Sequence, residues 1–151
     1  MPHELDIPEY VFERIRAKRG RLNVFDRFAP ARTAMVVIDM QNFFGAEVDT
    51  AKSIVPNINR LANVVRERGG RVIWVLLTVA DSLDGPSKWP IYHDYFFTPE
   101  KMKAHKDGLT EGSEGHALYP SLEVDGSDTM VRKSRFSAFI QGSSDLDDVL
   151  K

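Results

Sequence analysis

The sequence predicts an α/β fold of three layers, with helices on both faces of a mostly parallel sheet. Three observations carry this reading. Residues 34–40 (AMVVIDM) and 71–79 (RVIWVLLTV) are nearly continuous apolar, β-branched runs, the composition of strands buried on both faces. Between them, residues 49–68 change to helical period. Residues 128–133 (DTMVRK) supply a third strand. A strand, a helix and a strand at this spacing form a βαβ unit, and such units build parallel sheets.

The elements follow in chain order. Residues 1–30 form an N-terminal arm, and residues 31–151 form the domain proper. In the arm, Pro8 opens a short helix that runs through Arg19, and Gly20 stops it. Arg14, Arg16, Lys18, Arg19 and Arg21 make this helix basic. A helix of that kind can meet a membrane or nucleic acid, but on a chain of net charge −2 it reads first as a solvated face. Residues 26–31 are a connector. In the central helix, Ile54, Ile58, Leu61 and Val65 fall on one stripe. Asp49 or Thr50 caps its start, Pro56 lies near its first turn, and Gly69-Gly70 ends it. Residues 80–127 are long and irregular, with a short helix expected from Thr98 as cap and Pro99 at its first position. Loops of this length in compact domains are usually functional. After the third strand, Ser144 resembles a helix cap, and residues 145–151 are the first turns of a helix in which the chain ends.

Composition narrows the function classes. The chain has 151 residues, 42% hydrophobic and 28% charged, which is ordinary for a globular domain and excludes disordered or collagenous character. A near-neutral balance gives no global pull toward nucleic acid or anionic lipid. There is no cysteine, so neither a disulfide framework nor thiolate chemistry can come from these residues. The N-terminus lacks a basic–apolar–small signal pattern. The longest apolar run, residues 72–80, falls far short of the ~20 residues a membrane span needs. A cytoplasmic protein is expected.

Ligands in open α/β sheets bind beyond the carboxyl ends of the strands. Asp39, Asp81 and Lys133 stand at such ends. Asp39 follows four apolar residues, where a carboxylate is costly unless paired. It suits a general base, and equally a structural carboxylate that caps a turn. Lys133 could hold that carboxylate's charge state and stabilise a developing anion, or point to water as strand-end lysines commonly do. The histidines His3, His93, His105 and His116 are not spaced as ligand pairs, and no metal or other cofactor is expected. The aromatics Phe43, Phe44, Trp89, Tyr92, Tyr95, Phe96 and Phe97 cluster after the first two strand ends, where they could line a substrate pocket or a subunit seam. Ser134 and Ser137 follow Lys133, but nothing in their spacing singles out a serine–lysine nucleophile.

Two segments together resemble the isochorismatase-like hydrolases. Residues 33–44 (TAMVVIDMQNFF) are similar to the family's first-strand motif D-M-Q-N-D-F, with Phe43 in place of the second aspartate. Residues 116–139 look like its third-strand segment, in which Lys133, Arg135, Ser137, Ala138 and Phe139 fit the pattern. The intervening residues 54–75 are similar to its first helix and second strand.

The resemblance implies a six-stranded sheet of order 3-2-1-4-5-6, cut short here after the third strand, so that the domain is incomplete at its C-terminus. It also implies a hydrolase of linear amide or N-carbamoyl C–N bonds in a small substrate. In the amidase branch an Asp, a Lys and a Cys form the catalytic set. Asp39 and Lys133 take the first two roles, and the cysteine would lie beyond this chain, leaving the 151 residues inactive on their own. Asp39 would take the thiol proton and pass it to the leaving amine. Gln41, Phe44, Trp89, Tyr95 and Arg135 are the candidate substrate contacts. The zinc-bearing branch carries a D-x-H-type motif after the second strand; residues 78–82 (TVADS) lack the histidine. A vinyl-ether hydrolase of the isochorismatase type, needing no cysteine, is the alternative, as is a non-catalytic fragment or interaction module. The family also implies a homo-oligomer. A first strand without a fourth-strand neighbour would present an open apolar edge.

Overall fold

Residues 6–79 and 89–151 are described by a computed structural model of the chain. The expectations placed on His3 and on Asp81 lie outside the described residues. The arm's helix α1 (Glu9–Arg19) begins after Pro8 and ends at Gly20, which takes the left-handed conformation that glycine adopts without steric cost.

Three strands, β1 (Ala34–Ile38), β2 (Arg71–Leu77) and β3 (Thr129–Lys133), form one parallel sheet of order β1-β2-β3. A short helix α2 (Asn42–Glu47) and a long helix α3 (Asp49–Glu67) connect β1 to β2. The alternation of β2 sorts the core into two layers. Val72, Trp74 and Leu76 pack with Val37, Val55 and Ala62 under α3. Ile73 and Val75 pack with Val131, Ala138 and Leu146 on the opposite face. That second face is covered by residues 134–145 and by α5 (Leu146–Leu150). The chain is therefore a three-layer α/β/α arrangement.

Four expectations are corrected. β1 is not buried on both faces: among the described residues it pairs with β2 alone, and Ile38 is 53% exposed. An edge strand has a neighbour on one side only, so apolar composition cannot by itself bury it. The buried stripe of α3 keeps Ile58 and Val65 of the expected one but takes Val55 and Ala62 in place of Ile54 and Leu61. Val55, Ile58, Ala62 and Val65 face the sheet, whereas Ile54 and Leu61 are exposed. Both stripes satisfy a 3.6-residue period, and contact with β2 decides between them. Pro56 lies inside α3 rather than at its first turn, and Val48, not Asp49 or Thr50, is the flanking residue, with no side-chain cap. Finally, a π-helical turn (Ile91–Phe96) forms within the stretch expected to be irregular, and α2 forms where no element was assigned.

A third cluster sits beyond the C-terminal ends of the strands. Leu77, Val79, Tyr92 and Leu109 form its centre, with Phe43, Phe44, Trp89, Phe97 and Met102 around them. It is built by the π-helical turn and α4 (Pro99–Leu109), whose start is capped as expected: the Thr98 hydroxyl accepts from the Lys101 N–H at 3.3 Å. Two glycines allow close packing here. A Cβ on Gly45 would run into the Tyr119 ring, and one on Gly108 into the Phe43 ring.

Candidate active site

The parallel register brings the ends of β1 and β3 to the same side of the sheet. Asp39 follows β1, and its N–H continues the ladder by donating to the Val75 carbonyl at 2.9 Å. Its φ of 59° is the only left-handed one at a non-glycine residue among those described. Such backbone strain persists where the surroundings over-determine it, and it concentrates at functional sites. Lys133 closes β3, and its side chain is only 2% exposed. A buried ammonium needs partners. The Lys133 Nζ donates to Asp39 Oδ2 at 2.8 Å and to the Phe136 carbonyl at 2.8 Å. Asp39 is 31% exposed, and its second oxygen, Oδ1, is buried without a hydrogen-bond partner among the described residues. One carboxylate oxygen is thus held by a cation, and the other has unused acceptor capacity.

The remaining candidates divide. Gln41 is fully buried. Its Nε2 donates to the carbonyls of Leu77 and His116, both at 3.0 Å, and its Oε1 accepts from the Leu77 N–H at 2.8 Å. With no exposed surface, it ties the end of β2 to the loop at His116. Phe44 packs edge-on against Phe43 and joins the third cluster. Trp89 stacks on Tyr92 at 4.9 Å, meets Phe136 edge-on at 4.6 Å, and lies 5.3 Å from the Arg135 guanidinium. Arg135 also donates to the Ser134 carbonyl at 2.9 Å. Tyr95, on the same turn, is 83% exposed. Phe44, Trp89 and Arg135 therefore border the Asp39–Lys133 pair or its aromatic wall, whereas Tyr95 faces solvent.

Three buried polar residues lie near the site: Tyr92, which the sequence offered only as one of a cluster of aromatics, and His105 and His116, which it gave no role. The Tyr92 hydroxyl is 2.7 Å from His105 Nδ1. Burial, then the nearby negative charge of Asp39, pushes the Tyr92 phenol up to about 12, so it remains a neutral donor at physiological pH. His116 Nε2 is 2.8 Å from the Thr78 hydroxyl, and burial lowers the pKa of its ring. His105 had a legible signal: Met102, His105 and Leu109 share one face of α4. His116 had none, because it sits in irregular chain. Among the described residues no group of His, Asp and Glu side chains is gathered to hold a metal ion. No helix among them is long and apolar enough to cross a membrane.

Comparison with known proteins bears on the family and the fold. The family model described as the Isochorismatase domain matches residues 33–151, and the chain belongs to that family of hydrolases. A protein of Arabidopsis thaliana described as a probable inactive nicotinamidase is 35% identical over 113 residues, covering 71% of this chain and 54% of that protein. A ureidoacrylate amidohydrolase of Agrobacterium fabrum is 26% identical over 137 residues, covering 81% of this chain and 59% of its own length. The chain thus spans little more than half the length of these curated relatives. Among solved structures, a cysteine hydrolase from Pseudomonas syringae pv. phaseolicola is 26% identical with a TM-score of 0.64, covering 82% of this chain and 56% of that one. An N-carbamoylsarcosine amidase from Thermoplasma acidophilum shares the fold at a TM-score of 0.56 and 21% identity, over 78% of this chain and 59% of its own.

Proposed function

We propose that these residues supply the acid–base pair of a hydrolase that cleaves linear amide or N-carbamoyl C–N bonds in a small substrate. The observation that carries this reading is the 2.8 Å pairing of Lys133 Nζ with Asp39 Oδ2 while Asp39 Oδ1 has no partner among the described residues. The names of the amidohydrolase and amidase relatives support the substrate class.

The nucleophile is a thiol from outside these 151 residues, which contain no cysteine. Asp39 Oδ1 accepts the S–H proton, and the thiolate forms a bond to the carbonyl carbon. The C–N bond breaks as Asp39 returns the proton to the leaving nitrogen. Water then attacks the thioester, giving its proton to Asp39, and the C–S bond breaks as that proton returns to sulfur. Through both steps the Lys133 ammonium offsets the negative charge that alternates between carboxylate and sulfur. Trp89, Phe44 and Arg135 border the substrate, and Gln41 positions the strand end beneath it.

The test starts from the native protein. Intact mass and peptide sequencing establish its C-terminus, and ammonia release is then followed with N-carbamoyl amino acids and linear amides. Activity is expected to be lost on thiol alkylation, and to fall about 10²–10⁴-fold in Asp39→Asn and in Lys133→Ala, the range for removing a general acid–base group. Hydrolysis that survives Asp39→Asn would sink the assignment. A native protein without cysteine that cleaves a vinyl ether through Asp39 would replace it with the isochorismatase-type reaction.

A further inference from the structure

Phe136 occupies an unusual position for a half-exposed aromatic residue. Its ring meets Trp89 at 4.6 Å, Tyr92 at 5.6 Å and Phe96 at 5.7 Å, all residues of the π-helical turn or its approach. Its carbonyl accepts from the same Lys133 ammonium that pairs with Asp39. Phe136 lies between β3 and α5, outside both, so no strand or helix ladder orients that carbonyl. The segment around it is pinned by the Ser134 N–H on the Ser143 carbonyl and by the Ser144 hydroxyl on the Ala138 carbonyl, and the ring contacts restrain Phe136 further. They are themselves anchored, because the Tyr92 ring is buried and its hydroxyl is tied to His105 on α4. A continuous strut therefore runs from α4 through His105, Tyr92 and the Phe136 ring to the Phe136 carbonyl, and from there to Lys133. π-helical turns interrupt regular structure and recur at functional sites.

We propose that Phe136 is a positioning residue, whose ring, braced by the π-helical turn, aims the carbonyl that holds the Lys133 ammonium on Asp39. This rests on reading Asp39 and Lys133 as the acid–base pair. The physical reason is freedom. A lysine side chain has four rotatable bonds, and Asp39 is partly exposed, so the ion pair alone does not define one geometry. A second, fixed acceptor does. Displacement of a reacting group by about 1 Å can cost about 10²-fold in rate.

The experiment is lysine acylation by an N-hydroxysuccinimide ester, read residue by residue from peptide masses. In the wild-type protein Lys133 reacts far more slowly than the exposed Lys103 and Lys151. In Phe136→Ala its labelling rate is expected to rise about tenfold, as for a contact opened locally, while Lys103 and Lys151 are unchanged. Phe136→Tyr restores protection. Phe139→Ala, an exposed aromatic on the same segment, leaves Lys133 as in wild type. Lys133 staying within about twofold of wild type in Phe136→Ala, or opening equally in Phe139→Ala, overturns the strut. In the hydrolysis assay Phe136→Ala lowers kcat more than it raises KM; a rise in KM alone would make Phe136 a substrate contact instead. The labelling needs no substrate, so the strut can hold while the hydrolase reading fails. Conversely, the Asp39→Asn assay can succeed while the strut fails.

Discussion

Every polar atom of the Gln41 amide is bonded to main chain, and that makes it a structural residue at the edge of a chemical site. Gln41→Leu would keep the volume but leave the Leu77 N–H and two carbonyls without partners. Stranded buried polar groups are expensive, so a loss of about 3 kcal/mol is expected, measured as a shift in urea midpoint at unchanged slope. Asp128 plays a similar part at the far end of β3. Arg66 grips it with two bonds of 2.9 and 2.6 Å, Trp74 Nε1 donates at 2.8 Å, and the Asp125 N–H donates at 2.9 Å. Burial alone would raise this carboxyl, but the donors outweigh it and hold the pKa below the usual carboxylate value. A depressed pKa means stability that is present above the unfolded value and lost as pH falls through the folded one. Asp128→Asn should therefore destabilise the protein clearly at neutral pH, and the gap to wild type should shrink as pH is lowered below the carboxylate range. Parallel urea titrations at several pH values check this, and a gap independent of pH would contradict it.

At the scale of elements, β1 and α3 show how far pattern reading reaches. The apolar, β-branched character of residues 34–38 is enough to make a strand, and the βαβ spacing is enough to make it parallel to β2. Neither property by itself reveals which strand lies at an edge; that expectation came from the family resemblance, which left β1 without its fourth-strand neighbour. Among the described residues β1 pairs with β2 alone, and Ala34, Val36 and the exposed Ile38 alternate onto one of its faces. Such an edge templates pairing with other chains, and an inward or edge charge blocks it. Ile38→Lys should therefore raise, by about twofold or more, the protein concentration at which light scattering first reports aggregation. An unchanged threshold would place the sticky surface elsewhere. α3 was legible as a helix, and Ile58 and Val65 as part of its buried stripe, but Val55 and Ala62 obey the same period as Ile54 and Leu61. The π-helical turn was not legible, because Tyr92, Tyr95 and Phe96 stand at helical spacing in a segment too short to establish a period. Its order comes from ring packing against Phe136 and α4.

At the scale of the whole molecule, the site exists because two residues 94 positions apart end neighbouring regions of one sheet. Asp39 and Lys133 were both visible as strand-end residues, and the family motifs they belong to raised them above ordinary surface groups. Their partnership follows from the parallel register, which was implied by the βαβ unit. The second acceptor on Lys133 was not implied by anything local, because the Phe136 carbonyl belongs to irregular chain. The same holds for the Tyr92–His105 pair, whose members lie on different elements. By itself the sequence determined the strands, the long helix, the α/β class, the arm's helix with its Pro8 and Gly20 ends, and the two charged residues at the strand ends. These depend on short-range periodicity, backbone preference and the cost of a charge among apolar neighbours, all of which are written locally. Only the tertiary structure decided that Val55 and Ala62 complete the buried stripe of α3, that Gln41 ties main chain together, and that the Phe136 carbonyl accepts from Lys133. Those depend on contacts between distant segments, where the partner rather than the local pattern selects among conformations of similar intrinsic energy.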